Sequence, residues 1–168
     1  MSEAHHLAEA LEQLFTSDTH GWFTPFVVAT DGLTAAQAAA VPADHFNSIW
    51  SVVNHVRFWQ EAALHQLQGF AIDYQALGSE DGSGWPSAGG PDDEAAWQAA
   101  RAHVVRANAN LARYVASLTD TALGQPIAEG GQWNTCRHLI QSMIAHNSYH
   151  TCEIISIRHM HSWWFDAL

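Results

Sequence analysis

Basic residues are scarce in this chain: six stand against seventeen acidic ones, for a net charge of −11 with neutral histidines. The six are scattered, and no run of them could follow a phosphate backbone, which argues against a nucleic-acid partner. Charged residues of both signs make up 14% of the 168 positions, whereas 48% are hydrophobic. That is enough apolar material for one compact domain over 1–168, in a chain too short for two. Long apolar runs are missing as well. No stretch approaches the roughly 18 unbroken apolar residues of a membrane helix, and Met1-Ser2-Glu3-Ala4-His5-His6 has neither the basic segment nor the apolar core of a secretory signal. A cytoplasmic protein without membrane contact is the expectation. Cysteine is nearly absent, and Cys136 and Cys152 fall on one expected helix about 24 Å apart. That is beyond disulfide reach, so both should be free thiols.

Histidine and tryptophan are abundant instead, with twelve and eight copies. The apolar pattern that surrounds them is helical throughout, with no period-two strand and no internal repeat, so the fold class is all-α. Leu7, Leu11 and Leu14 mark a first helix from about Glu3 to Phe15, and a piece from about Thr19 to Thr30 should continue it through a kink at Gly21, Trp22 and Pro25. Thr34 can cap a short turn over Ala35 to Ala39. Ser48 is a good N-cap for a helix from about Ile49 to Leu67, whose stripe Ile49, Val52, Val53, Val56, Trp59, Ala63 and Leu67 faces a core. Gly78 to Asp92 is rich in glycine and serine and reads as a long exposed connection. A third helix capped by Asp92 or Asp93 runs to about Leu118, and a last one runs from about Asn134 or Thr135 to His159. Four main helices should pack as a bundle.

Three histidines stand where one metal ion could collect them. His146 and His150 are four residues apart on the last helix, so their imidazoles share a face with Cβ atoms about 5–6 Å apart. Glu153 falls on the same face, about 20° from His146 on the helical wheel. His55 sits in the apolar stripe of the second main helix and could supply a third imidazole from across the bundle. Helix-face histidine pairs are common without metal, and a lone core histidine more often donates to a carbonyl. The case therefore rests on the three together. Asn147 stands where a zinc-peptidase helix carries its glutamate, which disfavours a peptidase of that type. Trp59, four residues after His55, should share its face and could wall a pocket. His138 is two turns from His146 and too distant for the same ion.

Four blocks taken in order resemble the DinB/YfiT-like superfamily of bacterial four-helix metal proteins. They are His20-Gly21-Trp22 through Gly32-Leu33-Thr34-Ala35-Ala36-Gln37-Ala38, then Ser48-Ile49-Trp50-Ser51-Val52-Val53-Asn54-His55 with Trp59, then Trp133-Asn134-Thr135-Cys136-Arg137-His138-Leu139, and His146-Asn147-Ser148-Tyr149-His150 leading into Ile154. The resemblance implies a four-helix bundle of up-down-down-up topology, with Gly78 to Asp92 as its long crossover connection. It implies that His55, His146 and His150 bind a divalent metal ion, often zinc or nickel, with positions left open to water. Where relatives usually follow the last histidine with a Gly-Gln-like pair, this chain has Cys152-Glu153. Glu153 is thus a candidate fourth ligand or general base.

Members of that superfamily include thiol-dependent transferases, which implies a small thiol and a small electrophile as partners here. Two other readings stand beside it: a non-catalytic, metal-stabilised stress-response or binding module, and a metal-dependent hydrolase with Glu153 as catalytic base. The resemblance also implies a homodimer. The apolar tail Ser162-Trp163-Trp164-Phe165 could pack on a second copy or back on its own bundle.

Overall fold

A computed structural model describes residues 1–16, 22–127 and 135–163 of the chain. Among the described residues every regular element is helical: α1 (Glu3–Thr16), α2 (Phe26–Ala29), α3 (Ala35–Ala39), α4 (Ile49–Leu67), α5 (Glu94–Ala116), α6 (Asp120–Leu123) and α7 (Cys136–Met160). Each long helix after the first begins at a side-chain cap. Ser48 Oγ accepts from the Ser51 amide at 3.1 Å, Asp93 Oδ1 from Ala96 at 2.9 Å and Thr135 Oγ1 from His138 at 3.2 Å.

The four long helices close on one another: α1 packs on α5, α5 on α4, α4 on α7 and α7 on α1. The α4 stripe forms as its spacing requires, with Ile49, Val52, Val53, Val56, Ala63 and Leu67 buried. Facing it are Val104, Leu111 and Val115 of α5 and Leu139, Ile140, Met143 and Ile154 of α7, all buried. Trp97 is fully enclosed, and its indole N–H donates to the Leu33 carbonyl at 2.7 Å, which fixes the α2–α3 segment against α5. Arg158 is buried near the end of α7 and donates to the carbonyls of Ala29 and Asp31 at 3.0 and 2.7 Å and of Trp163 at 3.0 Å. Trp163 accordingly packs against the core of its own chain; Trp164 and Phe165 lie outside the described residues.

Two expectations are corrected. The first helix does not continue through a kink: residues 22–25 are non-helical, and α2 is a separate single turn that starts after Pro25, whose backbone is extended. Proline fixes its own φ and keeps the preceding residue out of the α region, so the break falls ahead of it. The proposed kink residue Gly21 lies outside the described residues.

The segment between α4 and α5 is also not exposed throughout: most of Gly78 to Asp92 faces solvent, as expected, but part of it is packed against α4. Leu77, Ser79, Gly84 and Pro86 are buried, and three α4 side chains tie the segment down. Arg57 donates to the Leu77 carbonyl at 2.8 Å, the His55 ring to the Gly84 carbonyl at 2.7 Å, and Asn54 to the Ser87 carbonyl at 2.8 Å. The glycines allow this close approach. A Cβ on Gly84 would meet the Trp59 ring at 2.9 Å, and one on Gly89 would collide with the Trp50 ring. The segment is a strap laid along α4.

Candidate metal centre

His55 projects from the middle of α4, and His146 and His150 from successive turns of α7, the two helices being in direct contact. Their rings converge: centroids lie 5.2 Å apart for His55 and His146, 4.7 Å for His55 and His150, and 4.4 Å for His146 and His150. One ring nitrogen from each falls in a set whose members all lie within 4.8 Å of one another.

Neighbours decide which nitrogen faces inward. His55 Nδ1 lies 2.7 Å from the Gly84 carbonyl oxygen, which can only accept, so Nδ1 carries the proton and Nε2 presents a lone pair. His150 Nδ1 lies 2.7 Å from Glu153 Oε2, with the same result. His55 Nε2 and His146 Nε2 are 3.3 Å apart. Two ligands bound at 2.0–2.1 Å to a tetrahedral ion are separated by about 3.3 Å, so the spacing fits an ion such as zinc. Three imidazole ligands also leave room in its coordination sphere for a further ligand.

Burial keeps the His55 and His146 rings neutral. Desolvation is the main cause that lowers the His55 pKa to about 4, with the His150 charge adding to it and the bond to Gly84 opposing it. His146 is lowered to about 3, again chiefly by desolvation and then by the His150 and His55 charges. At neutral pH both rings are therefore free of the extra proton that would compete with a metal.

Glu153 stands beside the site, but both its oxygens are engaged. Oε2 accepts from His150, and Oε1 accepts from the Asn47 amide at 3.3 Å. These bonds, the His150 one foremost, hold its carboxyl below the usual range. A carboxylate placed in this way orients a ligating ring and raises its basicity. Trp59 does share the face of His55, with ring centroids 6.2 Å apart.

Sequence reasoning missed a closer neighbour: Trp85 of the strap stacks on the His55 ring at 3.7 Å and an interplanar angle of 15°. Tyr149, largely exposed, lies edge-on to His150 at 4.7 Å. The signal for Trp85 was present as a Trp-Pro pair inside an otherwise glycine- and serine-rich stretch. Asn47, just before α4, carried no such signal. Cys136 and Cys152 are free thiols, and Cys152 is exposed.

These features define an all-helical protein with a three-histidine cluster able to hold a divalent metal ion. The chain belongs to the DinB superfamily, whose family model matches residues 25–154 and so takes in all three histidines and Glu153. A search of curated proteins finds no match to the chain. Among the described residues no helix is long and apolar enough to cross a membrane.

Proposed function

We propose that this chain is a divalent-metal protein of one domain over 1–168, with His55, His146 and His150 as ligands, zinc or nickel as the ion, and thiol transfer to a small electrophile as its reaction. The observation that carries the reading is the convergence of the ring nitrogens of these three histidines, with His55 and His150 each held by an acceptor at the other nitrogen. An ion held by these three histidines would supply a Lewis-acidic position that lowers the pKa of a small thiol and favours its nucleophilic thiolate form. The chain's own part is to hold the rings and shape the approach. Trp85 covers one face of His55, Trp59 stands edge-on to it, and Tyr149 flanks His150 on the solvent side.

Glu153 serves in this reading as a positioning residue for His150, which favours thiol transfer over hydrolysis with a carboxylate base. The reading includes the up-down-down-up order of the four long helices, with the strap as its crossover, and a homodimer that light scattering would detect.

Elemental analysis of tag-free protein beside a His146→Ala/His150→Ala variant is the first test. About one tightly held ion per chain in the parent and little in the variant is expected. Thiol conjugation to model electrophiles should then be faster with the loaded protein than with the free ion. Failure of that acceleration, with metal present, would leave a second reading: a non-catalytic module in which an ion ties α4 to α7.

A further inference from the structure

An imidazole metallated at one nitrogen carries its proton on the other, and that proton needs an acceptor when the site is buried. Ligation through Nε2 leaves three Nδ1 atoms to satisfy. His55 has the Gly84 carbonyl and His150 has the Glu153 carboxylate, both at 2.7 Å. Among the described residues, His146 Nδ1 is buried without a hydrogen-bond partner.

The next residue of α7, Asn147, is 0% exposed, and neither its Oδ1 nor its Nδ2 has a partner among the described residues. An unsatisfied buried amide is costly, and an apolar side chain would serve core packing better. Orphaned atoms of opposite character thus belong to adjacent residues beside the metal cluster. The last side-chain torsion of asparagine is soft, so a modest rotation can redirect its oxygen.

We propose that Asn147 is the positioning residue for His146, its Oδ1 accepting the Nδ1 proton while Nε2 faces the ion. The three ligands are then oriented by three different acceptors: a main-chain carbonyl, a carboxylate and an amide. This inference rests on the metal-centre reading above.

Zinc is the probe for the test. In the zinc-loaded parent, NMR should show slowly exchanging Nδ1 protons for all three histidines. Asn147→Leu should speed exchange of the His146 proton, spare the other two, and weaken zinc binding about tenfold in chelator competition. Asn147→Asp, which keeps an acceptor, should restore most of the affinity. Zinc-free Asn147→Leu should melt no lower than the zinc-free parent, because it removes an orphaned polar group. A rapidly exchanging His146 Nδ1 proton in the zinc-loaded parent overturns the proposal without any variant. Unchanged affinity and exchange in Asn147→Leu overturn the role of Asn147 and leave the metal centre standing. A parent that takes up no zinc overturns both.

Discussion

At the scale of single residues, orientation of the three rings matters as much as their identity. Glu153→Gln keeps the shape of the side chain but removes the charge that holds the His150 ring. Metal affinity should fall at least about tenfold in chelator competition, with helix content unchanged. Unaltered affinity would return Glu153 to the list of candidate bases. The buried rings also set a pH dependence. Their folded-state pKa values, about 4 for His55 and about 3 for His146, lie below the value of about 6.5 for an unfolded chain. The unfolded state therefore binds more protons in that interval, and acid favours it. The contribution is full above about pH 6.5 and is lost as pH falls towards 4 and then 3. With EDTA present, the melting temperature should climb from pH 4 to pH 7 and level off above; a flat profile would contradict the burial of these rings. His55, His146 and His150 were legible in the sequence because i,i+4 spacing and an apolar stripe fix where side chains point. Asn47 and the Gly84 carbonyl were not, because nothing local says which loop atom meets Glu153 and which meets His55.

At the scale of elements, the strap between α4 and α5 departs most from its sequence pattern. Glycine and serine usually mark a solvated connection. Here Gly84 takes a φ of +77° and lies against the Trp59 ring, which places its carbonyl on His55. Gly84→Ala adds a Cβ at a disfavoured φ and into that ring. It should cost about 1–3 kcal/mol of stability, read by denaturant unfolding, and weaken metal binding in parallel. Loss of stability alone would mean that the carbonyl is dispensable to His55. The caps were easier to read. Ser48→Ala should cost about 1 kcal/mol by loosening the start of α4. The helical stripes were legible for the same periodic reason as the histidine pair. The break at Pro25 was misjudged because the apolar pattern runs on across it, while proline chemistry overrides the pattern.

At the scale of the whole molecule, the candidate ligands come from two helices far apart in sequence, so an ion would add a link to the fold. At an ion concentration a hundred times its dissociation constant, binding contributes about 2.7 kcal/mol. For a chain of this size that corresponds to a melting temperature about 5–10 °C higher than in EDTA. The His146→Ala/His150→Ala variant should show no such difference in a thermal melt. The all-helical class was legible from composition and periodicity alone. The close packing of the strap depends on contacts between segments and was not. That packing also bears on how such a chain can change over generations. Surface connections are where proteins ordinarily accept extra residues. In this chain the Gly84 amide donates to the buried Ser79 hydroxyl at 2.9 Å, so the spacing from Ser79 to Gly84 sets the height of the carbonyl over His55. Lengthening the chain there by one residue would disturb the centre. The stretch that looks most like filler is the one whose length descent would have to preserve.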